Sequence, residues 1–547
     1  MLRKSKEVVK KALNVVYFFV VERPSQSFSN DACFTELTTA SLNVSIIFCS
    51  FLRGENKLSS FSDIIQQQID KLEEIRGMNV EPYPYRYDVQ DYVKDIREKF
   101  EDVEDIPLSE HHVKVAGRII TKRHHGKSSF AHVQDSTGKI QIYVRVDAIG
   151  KEKYDLFKKL DPGDIIGFEG YVFRTHTKEL TVFVEDLTLL AKAIRSLPEK
   201  WHGLQDKETR YRQRYVDLIV NPEVRQVFIT RSKIIQSIRN FLNERGFLEV
   251  ETPILQPIYG GANARPFVTY HNVLDTSLYL RISNELYLKR LIVGGFDRVY
   301  EFSKDFRNEG MDRNHNPEFT QIEAYQAYAD YNDIMHLIEE IISYTAQETL
   351  GTTQIEYQGM QIDLSPPWSK ITMVDSIKGQ IGVDVSKMNL PDLQSLVKEN
   401  GIEMTGSEPK GKLIGMLFDE LVEGNLVQPT FIIDYPIDIS PLAKKKSGND
   451  EFVERFEFFI GKMEMGNAFS ELNDPIDQRE RFAQQAKQRE AGDDEANLVD
   501  EDFIRAIEYG MPPTGGLGFG IDRLVMLLTN QSSIRDVIFF PQMRAET

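Results

Sequence analysis

"FRNEGMDRNHNPEFTQIEAY" occupies residues 306–325. Its second half alternates as a strand does, with Phe319, Gln321, Glu323 and Tyr325 on one face and Thr320, Ile322 and Ala324 on the other. An amide, an acid and a phenol along one face leave two readings open. The face meets solvent, or it is covered, and its polar groups then need partners that a ligand could supply.

Two later stretches pose the same question. In "GNAFSELND" (466–474), period 2 puts Asn467, Phe469 and Glu471 on one face. Just before it, "EFFIGKMEMG" (457–466) carries Glu457 and Glu464. Such a pair suits an ordinary surface, or a Mg²⁺ held between protein and phosphate oxygens. In "TGGLGFGIDRLVMLL" (514–528), Gly515, Gly516, Gly518 and Gly520 permit a close backbone approach to a flat or charged ligand, and Arg523 opens an apolar helix. The glycines could equally serve packing alone. Their spacing fits neither the dinucleotide fingerprint nor the P-loop.

Around these stretches strands and helices mix without a βαβ rhythm, which predicts a largely antiparallel α+β domain. "FITRSKIIQSIRNFLNERG" (228–246) spaces Ile234, Ile235, Ile238, Phe241 and Leu242 as one helical face and closes at Gly246. "FLEVETPIL" (247–255) reads as a strand broken by Pro253.

Upstream the pattern changes. "FSDIIQQQIDKLEEIRGMN" (61–79) predicts a helix with Ile64, Ile65, Ile69, Leu72 and Ile75 on its apolar stripe, ending at Gly77. "KIQIYVR" (139–145) alternates Ile140, Ile142 and Val144 against Gln141, Tyr143 and Arg145. "SFAHVQDSTGK" (129–139) turns Ala131 and Val133 inward, with Phe130 and His132 outward. With two strands around a turn near His176, residues 110–190 predict a small barrel of the oligonucleotide-binding type. "RSLPEKWHGLQD" (195–206) reads as a linker.

A chain of 547 residues exceeds one core and divides into two or three domains. Its 41% hydrophobic and 27% charged residues are ordinary for a globular protein. The longest apolar run, "VVYFFVV" (15–21), is far below the roughly 20 residues of a membrane span. A net charge of −18 argues against non-specific DNA binding, though not against nucleic acid on a local patch. Cys33 and Cys49 are the two cysteines, so the remaining chain has no disulfide framework or cysteine-based zinc site. A cytoplasmic setting fits. Residues 1–60, basic at the start and then Ser/Thr/Asn-rich, read as an atypical, poorly ordered extension, and organellar targeting by them stays open.

Taken together, "RGFLEVETPIL" (245–255), "FRNEG…HNPEFT" and "GLGFGIDRL" (516–524) resemble, in order, motifs 1, 2 and 3 of class II aminoacyl-tRNA synthetases. The resemblance is closer still to the lysyl-tRNA synthetases of the bacterial type, subclass IIb, in "YRQRYVDLI" (211–219), "GGANARPF" (260–267), "ELYLKRLIVGG" (285–295) and "NAFSELNDP" (467–475). It implies a helix plus anticodon-binding barrel over 61–195, a linker over 196–212 and an antiparallel catalytic domain flanked by helices over 213–547. The implied reaction joins L-lysine to ATP as lysyl-adenylate, releases pyrophosphate, and passes lysine to the 3′ end of tRNA(Lys).

The same resemblance assigns residues. Arg307 and Arg523 are the implied catalytic groups. Arg307 binds the substrate carboxylate and the α-phosphate, and Arg523 the γ end. Glu309 and Phe319 take adenine, while His315, Asn316 and Glu464 lie toward the phosphates. Glu457 and Glu464 are the implied Mg²⁺ ligands. Glu323, Tyr325 and Glu471 receive the ε-ammonium of lysine, Glu285 and the Gly261 backbone the α-amino group, and Asn467 and Phe469 shape the pocket. Phe130, Gln141 and Glu179 read the anticodon, where an outward aromatic suits stacking on a splayed base. Motif 1 implies a homodimer. A lysylating paralogue with a non-tRNA acceptor, or a non-catalytic RNA-binding relative, are the alternatives. The barrel argues against the first, and Arg307, Glu457, Glu464 and Arg523 against the second.

Overall fold

The computed structural model describes residues 56–103, 110–198, 204–490 and 498–546, with side chains from residue 63 onward. The expected extension thus lies outside the described residues up to 55, as does part of the expected linker, 199–203. The chain forms two compact units, Met1–Leu197 and Pro198–Thr547.

In the first unit, α1 (Asn56–Gly77) and α2 (Val93–Phe100) precede a closed five-stranded barrel. Its strands are β1 (His112–His125), β2 (Ser128–Gln134), β3 (Lys139–Arg145), β4 (Ile165–Arg174) and β5 (Leu180–Ala191), with α3 (Lys151–Lys159) between β3 and β4. The barrel order is β1-β2-β3-β5-β4, with β3 and β5 parallel and the other pairs antiparallel. Alternation sorts its side chains as expected: Ala131, Val133, Ile140, Ile142 and Val144 fill the interior. On α1, Leu72 and Ile75 are buried, whereas Ile64 is exposed. The apolar stripe therefore packs only at the C-terminal end of the helix.

The second unit is built on one mixed sheet. The elements that position the site are α4 (Pro222–Glu244), β6 (Leu248–Glu249), α5 (Glu285–Val293), β7 (Arg298–Phe306), β8 (Glu318–Ala327), α6 (Tyr331–Leu350), β9 (Ser369–Thr372), β10 (Thr430–Pro436), β11 (Asn449–Ile460), β12 (Met463–Ser470), β13 (Thr514–Gly520) and α7 (Ile521–Leu528). The strand order is β9-β10-β11-β12-β13-β8-β7-β6. The centre is antiparallel, as expected, and the outer pairs β9/β10 and β7/β6 are parallel. Pro222 at the start of α4 accounts for its early onset, since its missing N–H costs nothing in a first turn.

One face of this sheet is core. Ile322 and Ala324 of β8, Phe456 and Phe458 of β11, Ala468 of β12 and Leu517 and Phe519 of β13 pack with Ile234, Ile238, Phe241 and Leu242 of α4 and with α6 and α7. The other face carries the polar residues. Among the described residues no helix is long and apolar enough to cross a membrane.

Candidate active site

Strand register assembles the polar face. β13 lies between β8 and β12, pairing Glu323 with Gly518 and Gly518 with Asn467, then Tyr325 with Gly516 and Gly516 with Phe469. Across β12 and β11, Asn467 pairs with Glu457 and Phe469 with Arg455. Two rows result, Glu323–Gly518–Asn467–Glu457 and Tyr325–Gly516–Phe469–Arg455. In-register residues share a face, so four strands from three separate stretches of the chain make one floor.

Glu464 reaches the floor by a different route. Strict alternation from Asn467 would send it to the core. The register shifts between Phe458 and Phe459, where Phe458 pairs with Gly466 and Phe459 with Glu464, leaving Met465 as the extra residue. A bulge of this kind reverses the alternation beyond it. Met465 joins the core, and Glu464 joins the cavity wall.

The cavity over this floor has a volume of about 300 Å³. Of the expected residues, Gly261, Glu285, Arg307, Glu309, His315, Asn316, Phe319, Glu323, Tyr325, Glu464, Asn467, Phe469, Glu471 and Arg523 all line it. Glu457 does not line it and lies one strand further, its Oε1 accepting from Arg455 Nη2 at 2.6 Å.

The lysine-directed end is deeply buried. Glu323 accepts from Ser283 Oγ at 2.8 Å, Gln321 Nε2 at 2.7 Å and Tyr325 Oη at 2.9 Å. Three of the roughly four lone-pair sites of the carboxylate are thus met by the protein, one of them by the phenol of Tyr325. Burial, followed by the charges of Glu285 and Asp305, pushes the Glu323 carboxyl up to about 8. Burial, reinforced by Glu323, holds the Tyr325 phenol well above its ordinary value. Glu471 is 1% exposed, and its Oε1 finds no donor among the described residues. A buried acceptor without a donor costs on the order of 1–3 kcal/mol, a deficit that a ligand's ammonium removes.

Gly516 explains how Glu471 fits. A Cβ there would stand 2.0 Å from Glu471 Oε1 and 2.5 Å from Tyr325. The motif glycine makes room for two pocket side chains rather than for a ligand. Gly261, at φ +89°, would meet Ser283 Oγ at 2.7 Å if it carried a Cβ.

At the other end, the Arg307 guanidinium lies 5.1 Å from the Phe319 ring centre, and its buried Nε has no hydrogen-bond partner among the described residues. Arg523 Nη2 approaches His315 Nε2 at 3.2 Å, and Nη1 faces the Glu464 carboxylate at 3.3 Å. His315 Nδ1 is held by Asp312 at 2.8 Å. Burial acts to raise the Glu464 carboxyl, but Arg523, Arg307 and Arg455 outweigh it and keep it below the usual range. Glu457 moves the other way: burial, with Arg455 opposing and Glu464 adding to it, pushes it up to about 7.

Several residues at the site were not among the expected ones. Ser283 and Gln321 clamp Glu323, Arg455 holds Glu457, and Lys289 pairs with both Glu285 and Glu471. Glu285 and Lys289 stand four apart on α5, a spacing more often seen in exposed pairs. Burial, not spacing, marks this one.

The barrel offers a second polar face. Phe130 stacks on Tyr143 with ring centres 4.5 Å apart, and Tyr143 lies 6.0 Å from Phe183 and 6.2 Å from Phe173. Beside them Glu179 accepts from Gln141 Nε2 at 2.7 Å and meets His132 Nε2 at 2.8 Å. The three expected residues share this face with Tyr143 and His132, whose outward positions in the alternation were the available signal.

Residues 206–544 match the model of class II tRNA synthetases (D, K and N), and residues 113–190 match that of the OB-fold nucleic acid binding domain. The chain is 54% identical to the lysine–tRNA ligase of Pelotomaculum thermopropionicum over 496 residues, which is 90% of this chain and 97% of the relative. It is 54% identical to that of Moorella thermoacetica over 89% of this chain and 99% of the relative. With the Bacillus subtilis lysine–tRNA ligase it shares 53% over 90% and 99%. A floor of buried carboxylates carried on these matched strands, preceded by a matched OB barrel, places the chain in the class II tRNA synthetases of the D, K and N group, and within them in the lysine–tRNA ligase family.

Proposed function

We propose that the chain activates L-lysine with ATP, releasing pyrophosphate, and passes the lysyl group to the 3′ end of tRNA(Lys). The observation that carries this reading is Glu471, a fully enclosed carboxylate with one oxygen lacking a donor among the described residues, beside Tyr325 at the closed end of the cavity. A buried ammonium needs such acceptors. An aspartate or asparagine side chain would meet them as repulsion or as mismatch.

The substrate carboxylate is itself the nucleophile, so the protein's work is alignment and charge stabilisation. Arg307 would neutralise the carboxylate and the α-phosphate, and its Nε, without a partner among the described residues, supports that role. Phe319 supplies a face for adenine and Glu309 an acceptor for its amino group. His315, fixed by Asp312, and the Arg523 guanidinium, fixed by Glu464, line the end of the cavity that takes the β- and γ-phosphates. Asn316 is pinned to the Glu318 carbonyl at 2.6 Å and shapes the loop. Glu285 and the Gly261 backbone serve the α-amino group, with Asn467 and Phe469 as pocket walls.

Mg²⁺ fits Glu457 and Glu464. The two carboxylates act on each other through space, Glu464 raising Glu457, which a dication between them would relieve. Among the described residues no group of three or more His, Cys, Asp or Glu forms a self-sufficient metal site, so phosphate oxygens would complete the shell. When bound, the ion neutralises the phosphates and favours pyrophosphate as leaving group.

On the barrel, Phe130, Gln141 and Glu179 serve as the anticodon face. A homodimer belongs to the same proposal, because Leu255, Val268, Tyr270, Val273 and Leu274 are exposed on one small sheet and its turn, an apolar patch of the kind interfaces cover. The setting is the cytoplasm. Amino-acid-dependent ATP–pyrophosphate exchange across the twenty amino acids tests the reading. Exchange with lysine alone supports it, and exchange with aspartate or asparagine, or none by the folded protein, rejects it.

A further inference from the structure

Lys289 is fully buried and does not line the cavity. It sits behind the pocket on α5, with Nζ 2.5 Å from Glu285 Oε1 and in an ion pair with Glu471 Oε2. Its ammonium lies 5.1 Å from the centre of the Phe469 ring. The protein thus keeps an ammonium of its own against the same two carboxylates that serve the substrate's amino groups. We propose that Lys289 is a positioning residue for lysine specificity: it favours the ionised, aimed form of Glu285 and Glu471 in the empty pocket, so that the substrate docks with fewer protons to displace. The inference rests on the reading of Glu471 and Glu285 as lysine-binding groups.

The physical argument is one of charge. Two carboxylates enclosed near each other cannot both stay ionised without a counter-charge. Even with Lys289 in place, burial holds Glu471 well above and Glu285 above the ordinary carboxylate value, and Lys289 is the first charge that opposes the shift in both. Burial acts against the Lys289 ammonium in turn, but Glu285 and Glu471 outweigh it and raise its pKa. The remaining groups facing this triad do not substitute for it. Glu323 and Tyr325 of β8 add negative charge or none, Asp305 of β7 adds to Glu323, and Arg455 of β11, which acts on Glu285, is already engaged by Glu457 and by the Ile439 carbonyl. On α5 itself, Arg290 is taken by Asp500 and Asp502. Without Lys289 the pair takes up a proton, and that proton must leave when lysine binds.

The experiment is calorimetric titration of L-lysine into the full-length protein, in buffers of different ionisation enthalpy, near pH 7. Compared are the wild type, Lys289→Met, Lys289→Gln and Lys289→Arg. The neutral variants are expected to release up to about one proton more than wild type per lysine bound, and to weaken lysine about 10- to 100-fold, more at lower pH. Lys289→Arg returns the proton count to the wild-type value. Lys289→Gln keeps hydrogen-bonding capacity toward both carboxylates, so it carries the test if Lys289→Met does not fold. Equal proton counts in wild type and a folded neutral variant overturn the proposal, as does a Lys289→Arg variant that releases as many protons as the neutral ones. A wild type that binds no lysine would instead bring down the pocket assignment itself.

Discussion

The barrel and the catalytic sheet both place polar side chains along strands, but the energetics differ. On the barrel, Phe130, Gln141 and Glu179 are half-buried or exposed, and water can serve whatever the protein does not. On the sheet, Glu323, Glu285 and Glu471 are buried, and each must be answered by a donor, a counter-charge or a proton. The first face can be altered with local consequences. The second is a coupled set, in which moving one charge changes the protonation of the others.

Four substitutions press on that contrast. Arg307→Ala removes the cation beside the reacting atoms, and lysine-dependent ATP–pyrophosphate exchange is expected to fall about 10³-fold with tRNA binding by the barrel retained. A fall of under about 10-fold would remove Arg307 from its assigned part. Glu471→Gln leaves Lys289 with one anion fewer and the ε-ammonium without a charged acceptor. KM for lysine is expected to rise about 10²-fold or more, with the KM for ATP little changed. A rise confined to ATP would mean the two ends of the cavity are interchanged.

Phe130→Ala removes the outer ring of the aromatic stack. Stacking on a base contributes about 1–3 kcal/mol, so tRNA affinity should weaken roughly 5- to 150-fold while exchange is untouched. Lost exchange would show that the barrel face is not independent of the activation chemistry. The smallest effect is in stability. Glu323 is raised to about 8, so between its ordinary value and 8 the folded protein holds more protons at this group than the unfolded chain. Folding stability is therefore lost as pH rises through that window, by up to about 1.4 kcal/mol per pH unit from this group. Glu323→Gln should flatten the fall in Tm between pH 6 and pH 8 as followed by circular dichroism. An unchanged slope would mean that Glu323 is already ionised at pH 6.

How far the sequence revealed these features follows from the same physics. The barrel was legible strand by strand, because a one-sided surface writes its burial as clean alternation, as in Ile140, Ile142 and Val144. The floor of β8 was legible for the same reason: Gln321, Glu323 and Tyr325 share a face opposite the core residues Ile322 and Ala324. Period alone could not show whether that face was covered. The partnership of Lys289 was hidden, since an i,i+4 Glu–Lys pair reads as surface until its depth is known. For Gly516 the packing reading of the two left open is the one met, as its missing Cβ accommodates Glu471 and Tyr325. The parallel edge strand Ser369–Thr372 was not legible, being too short to carry a period, whereas Leu248–Glu249 lies inside the strand read over 247–255.

The bulge at Met465 makes the site sensitive to counting as well as to chemistry. Glu464 faces the cavity only because one residue is surplus between it and Asn467. Forcing the strand into regular pairing at its present length would turn the carboxylate into the core, whereas deleting Met465 would put Glu464 two residues before Asn467 and keep it on the cavity face. Along β12 the bulge and the three-residue spacing therefore compensate each other, and the floor survives the loss of both but not of either alone. Variation in the length of this strand is open only where its pairing register changes with it.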